Sequence, residues 1–124
     1  MTKINLYDKL SKIRDFWKPA IVGELNGQHV KLVKFKGDFV WHHHEAEDEM
    51  FLVVKGSFRM EYRDMGGHQL SIGIGEGEFI VIPKGVEHRP VAAEEVHVML
   101  FEPTSTLNTG NVRNAMTVAF LPSI

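Results

Sequence analysis

The chain has 124 residues, near the commonest size for one folding unit, and 44% of them are hydrophobic, enough to bury a core without staples. Its 14 basic and 16 acidic residues leave a formal charge of −2, which excludes a broad electropositive surface and, with it, nucleic acid or anionic lipid as partners. Cysteine is absent, so disulfides, thiolate catalysis and sulfur-rich zinc frameworks are excluded, and any metal must be held by nitrogen and oxygen.

One domain is expected over 1–124, with a helix at 5–17, a barrel over about 20–102, and a loop with an edge strand at 103–124. In the first stretch Leu6, Leu10, Ile13 and Trp17 fall at helical spacing behind Asn5 as N-cap, and Lys18-Pro19 ends the pattern. Ala20–Val22 and His29–Phe35 read as strands joined through Asn26-Gly27, a favoured hairpin dipeptide. Turn signals recur at Lys36-Gly37, Lys55-Gly56, Asp64 to Gly67, Gly73 to Gly77 and Pro83-Lys84-Gly85, with short strands between them. Closely spaced turns of this kind predict an all-β barrel or sandwich.

Phe58, Met60 and Tyr62 alternate with Arg59, Glu61 and Arg63, which predicts one inward and one wet face. By contrast Met50–Val54 and Phe79–Ile82 are apolar on both faces, so a barrel interior covers only half of their side chains. The amino-terminal helix or a second subunit has to cover the rest, and a homodimer is expected. After the loop signal Leu107–Asn111, Met116–Phe120 reads as an edge strand. No run approaches the roughly 18 apolar residues that span a bilayer, and Met1–Asn5 lacks the apolar centre of a secretory leader, so a soluble cytoplasmic protein is expected.

Three histidines stand together at 42 to 44. Alternate side chains of a strand share a face, so His42 and His44 point one way and His43 the other. Glu49 opens the next strand and can turn a carboxylate toward the same point, while Glu45, Glu47 and Asp48 stay on a solvated bend. His88 follows the turn Pro83-Lys84-Gly85, and spacing alone does not bring it to that point. Taken alone, the histidine run reads equally well as a polar surface turn.

These residues resemble the cupin superfamily. Its first motif runs Gly, a spacer, His-x-His, three or four residues, Glu, six residues, Gly, and is matched by Gly37, His42, His44, Glu49 and Gly56. Its second motif, Gly-x5-Pro-x-Gly-x2-His-x3-Asn, is matched by Gly77, Pro83, Gly85 and His88. The first spacer is one residue short and Ala92 replaces the final Asn; neither departure touches a ligand position. The chain looks most like the small single-domain cupins of bacteria, many without an assigned reaction. The resemblance implies a double-stranded β-helix of six or eight strands, a jelly-roll barrel, with His42, His44, Glu49 and His88 ligating a metal inside its mouth.

Three imidazoles and a carboxylate suit one divalent transition metal, Mn, Fe, Ni, Co or Zn, more than Mg or Ca. His29, His68 and His97 have no partners at ligand spacing; His97 is a candidate for orienting a ligating imidazole. Gly73, Gly75 and Gly77 read as turn residues, since no helix follows them to make a phosphate site.

The inward positions predicted around the metal are Phe51, Val53, Phe58, Met60, Tyr62, Phe79 and Val81, of which only Tyr62 has a protic group for acid/base work. No inward Lys or Arg is predicted, which disfavours a phosphosugar and favours a small apolar or carbonyl-bearing ligand. A metal-dependent enzyme acting on a small molecule is expected, dioxygenase-type oxidation ahead of isomerase or lyase chemistry. The alternatives are a binding or sensing module with a metal-anchored ligand, and a cupin whose metal is structural.

Overall fold

Asn26 and Gly27 both take positive φ, 50° and 74°, and form the tight turn between β1 (Ala20–Leu25) and β2 (Gln28–Asp38) that their sequence predicts. The computed structural model describes residues 1–124 and continues with β3 (Glu49–Lys55), β4 (Ser57–Arg63), β5 (Gln69–Gly75), β6 (Phe79–Ile82) and β7 (His88–Pro103). Every strand pairing is antiparallel.

The strand order is β1-β2-β7-β3-β6, and β4 pairs with both β5 and β7. The long β7 serves three ladders: His88–Val91 pair with β4, and the stretch from Val96 onward lies between β2 and β3. One strand shared in this way curls the sheet into the expected barrel, here with seven strands. Its interior is filled from alternate positions of facing strands, among them Val33, Phe35, Phe51, Val53, Met60 and Val98. A second cluster of Leu10, Ile13, Ala20, Val22 and Leu32 lies on the outside of β1 and β2, where the amino-terminal segment covers part of the outer sheet face.

Four expectations need correction. The helix α1 spans only Leu6–Leu10 instead of 5–17, although Asn5 caps it as predicted through Asp8 N–H (3.0 Å). Tertiary bonds win over helical periodicity beyond it: Lys34 Nζ donates to Ile13 O (2.7 Å), and Trp17 N–H donates to Lys34 O (2.9 Å). Met116–Phe120 forms no strand, because side chains satisfy its backbone: Asn114 Oδ1 accepts Met116 N–H, and Asn108 takes Met116 O and Val118 N–H. The C-terminal segment instead meets the sheet at Ser123, which bridges to Ile21. In β6 the faces are exchanged, with Ile82 buried while Phe79 and Val81 are 60% and 49% exposed. Finally, Glu61 is not wet: Arg89 Nε (2.7 Å) and Arg59 Nε (3.2 Å) cover its carboxylate.

Candidate metal centre

His42, His43 and His44 lie on an extended stretch after β2, and their side chains alternate as strand geometry demands. His42 and His44 are buried, while His43 turns out to Glu45 (2.6 Å) and Glu87 (3.1 Å). His88, the first residue of β7, exchanges both backbone hydrogen bonds with His42 (3.1 and 2.9 Å), so the two rings project to one side with centroids 4.3 Å apart. Glu49, the first residue of β3, enters the same point and is also buried. The two motif turns are stitched together, since Gly85 N–H donates to His44 O (2.8 Å) and Lys84 N–H donates to Asp48 Oδ1 (2.9 Å).

One donor atom from each of His42, His44, Glu49 and His88 lies within 4.8 Å of the others. Backbone carbonyls orient two of the rings. His42 Nδ1 donates to Val40 O (2.9 Å) and His88 Nδ1 to Val86 O (2.8 Å), which leaves both Nε2 lone pairs for the centre. His44 differs, because neither of its buried ring nitrogens has a hydrogen-bond partner. Its Nε2 stands 3.1 Å from Glu49 Oε1 without hydrogen-bond geometry, and His88 Nε2 stands 3.3 Å from the same oxygen. An unsatisfied buried nitrogen costs about 1–3 kcal/mol, and a cation accepting the lone pair removes that cost. This orphaned nitrogen beside a buried carboxylate shows that the residues fit a metal ion.

Electrostatics agree. Burial, reinforced by the neighbouring His88, lowers His42 to about 4, so its ring is neutral at pH 7. Burial alone would raise the Glu49 carboxyl, but its contacts with Glu102, His44 and His88 outweigh burial and hold it well below the usual range. Glu102 goes the other way, raised by burial and by the charge of Glu49 despite Lys31. Two neighbouring buried carboxyls do not both ionise readily, and the histidine-flanked Glu49 is the anion.

A cavity of about 30 Å³, room for about one water molecule, adjoins His42 and Glu49. Its walls are mainly apolar, with Trp17, Phe35, Phe39 and Phe51 prominent. Trp17 lines it, stacked on Phe35 and Phe39 with centroids 4.4 and 4.8 Å away, and takes φ 62°, rare for a bulky residue. Asn108 also lines the cavity, but its amide is engaged by Met116 O and Val118 N–H. Its neighbours Gly110 and Asn111 pack on the ligand stretch: Asn111 N–H donates to His43 O (3.0 Å), and His43 N–H donates to Asn111 Oδ1 (2.9 Å).

All four predicted ligands therefore converge. Tyr62 stands opposite His88 in the β4–β7 ladder, on the same face, half-buried and outside the cavity lining. Phe79 and Val81 leave the set of inward residues. His97 bonds to Glu95 (2.6 Å), and the ring-orienting role assigned to it belongs to the Val40 and Val86 carbonyls.

Sequence reasoning missed Lys31 and Glu102, buried side chains paired at 2.7 Å. The expectation of no inward Lys is thereby corrected, although Lys31 is tied to Glu102 and does not line the cavity. Alternation through Phe35 and Val33 carries the inward face to Lys31, so a signal for it existed.

The family model described as the cupin domain matches residues 29–102. An uncharacterized protein of Bacillus subtilis, YdbB, is 34% identical over 85 residues, covering 68% of this chain and 72% of that protein. A cupin-2 domain containing protein from Shewanella frigidimarina is 44% identical, with TM-score 0.75, covering 81% of this chain and 93% of the other. A hydroquinone 1,2-dioxygenase from Sphingomonas, solved with 4-hydroxybenzoate, superposes with TM-score 0.74 at 17% identity, covering 84% of this chain and 32% of that one. That likeness shows the fold alone.

Proposed function

This chain belongs to the cupin family, and on that premise we propose that it is a metal-dependent enzyme acting on a small molecule, with dioxygenase-type oxidation ahead of isomerase or lyase chemistry. The observation that carries the reading is the unpartnered, buried His44 nitrogen pair beside Glu49, among three imidazoles and one carboxylate within 4.8 Å. His42, His44, Glu49 and His88 would hold a divalent Mn, Fe, Ni, Co or Zn ion, which would supply Lewis-acid polarisation of a ligand oxygen and, where redox-active, dioxygen activation.

The protein's own part is chiefly exclusion and orientation. Phe35, Phe39, Phe51 and Trp17 give the cavity beside His42 and Glu49 an apolar wall, which strengthens electrostatic interactions there. The same wall presents no cation, so a small uncharged or carbonyl-bearing ligand suits it better than a phosphorylated one. Tyr62, across the ladder from His88, is the residue proposed for proton transfer.

A second reading, a non-catalytic binding or sensing module with a metal-anchored ligand, is favoured by one observation: the cavity lining holds no free acid or base beyond His42 and Glu49. A purely structural metal is the third. Metal analysis of protein purified without added metal, followed by EPR of the Fe- or Mn-loaded form with nitric oxide and small carbonyl compounds, separates them. The enzyme reading expects a perturbed spectrum, and a closed, unresponsive site would overturn it.

A further inference from the structure

Ionisable side chains are rarely buried without a partner, yet three inward positions at one end of this barrel carry them: Lys31 in β2, Glu49 in β3 and Glu102 in β7. Lys31 Nζ and Glu102 Oε1 are 2.7 Å apart, each side chain only 2% exposed. Register brings this pair to the metal centre. Met50 stands opposite Phe101, so the next residues along, Glu49 and Glu102, fall opposite each other on the inner face. The two buried carboxyl groups act on one another, and the second oxygen of Glu102 is buried without a hydrogen-bond partner.

Stability does not account for the pair. Replacing a buried ion pair by apolar residues of similar volume is often neutral or stabilising, and the neighbouring inward positions Val33, Phe51 and Leu100 show that this interior accepts apolar residues. What the pair does have is a fixed place against Glu49, the one carboxylate of the metal centre. We propose that Lys31 and Glu102 are positioning residues: Lys31 pins Glu102, and Glu102 holds the Glu49 carboxylate from behind in the orientation that presents Oε1 to His44 and His88. This rests on the metal-site reading above and extends it from four residues to six.

The test uses the full chain stripped of metal, with Mn²⁺ as the probe, followed by titration calorimetry and by EPR of the Mn²⁺-loaded protein. Lys31→Met with Glu102→Leu replaces both polar side chains with apolar ones and, by the volume argument, keeps the barrel folded, which circular dichroism checks. It is expected to bind Mn²⁺ about 10- to 100-fold more weakly than the unaltered chain, with an altered EPR spectrum. Lys31→Met with Glu102→Gln restores a polar group against Glu49 and is expected to recover most of that affinity, which a merely structural pair would not require. Should the leucine variant fail to fold, Lys31→Met with Glu102→Met takes its place under the same two outcomes. Unchanged affinity and an unchanged spectrum in the apolar variant overturn the positioning role while leaving the metal site intact. If the unaltered chain takes up no Mn²⁺, Co²⁺ or Zn²⁺, the metal reading itself falls, and the positioning role with it.

Discussion

A buried imidazole that gives one nitrogen to a backbone carbonyl keeps a single lone pair, and His42 and His88 both meet that description. Their removal is therefore expected to act on metal and not on fold. His42→Ala combined with His88→Ala should abolish stoichiometric metal, measured by elemental analysis, while circular dichroism still reports a β-barrel; retained metal would show that other residues are the ligands. His42 also sets a pH dependence in the metal-free protein. Its folded pKa, about 4 against an ordinary 6.5, means that the unfolded chain binds more protons between those values. The stability it contributes is complete above pH 6.5 and is lost as pH falls toward 4, amounting to about 3 kcal/mol. Urea unfolding of the metal-free chain should give a lower midpoint at pH 4.5 than at pH 7, and His42→Ala should flatten that difference.

At the level of elements, Glu49 and His88 open strands while His42 and His44 lie on the stretch after β2, and two segments outside the barrel bear on the centre directly. Gly110 sits at φ 55° against the ligand stretch, where a Cβ would overlap the His43 carbonyl oxygen and stand 2.9 Å from its carbon. Gly110→Ala is expected to destabilise the chain by about 1–3 kcal/mol in thermal melts and to weaken Mn²⁺ binding, because the displaced backbone lies between two ligands. Trp17 forms part of the cavity wall. Trp17→Ala is expected to cost about 3 kcal/mol and to admit a ring as large as phenol, seen as binding in calorimetry where the unaltered protein shows none. Neither segment was legible in its role. The periodicity through Leu6, Leu10, Ile13 and Trp17 is real, since Leu10 and Ile13 are buried, yet it extends past a helix that ends at Leu10, because long-range bonds to Lys34 claim the backbone beyond. The apolar run of β6 has no alternation to read, so its inward and outward faces were exchanged, whereas in β4 the alternation correctly marked Phe58 and Met60 as core.

Across the whole molecule, the barrel was legible because glycine and proline turns punctuate it at strand length, and the ligand set because two motifs carry it. Lys31 and Glu102 were not identified because they look like ordinary polar members of strands until pairing turns both inward. The outer surface shows the same limit. Register places Val81, Met50 and Phe101 in one row across β6, β3 and β7, and Phe79, Leu52 and Met99 in the next. The amino-terminal segment covers Met99 and the far side, but Phe79 and Val81 remain 60% and 49% exposed on a strand at the end of the sheet path. An open sheet edge flanked by apolar side chains invites pairing with another chain, and a two-fold axis lets one such face cover its own copy. A homodimer, if formed, is therefore expected to pair through β6. Light scattering should report twice the 14.1 kDa of the chain, and Phe79→Lys with Val81→Glu should return it to one chain while leaving Mn²⁺ affinity unchanged, since both side chains point away from the centre. A monomer in the unaltered protein, or a dimer that survives both substitutions, would move the interface elsewhere or remove it.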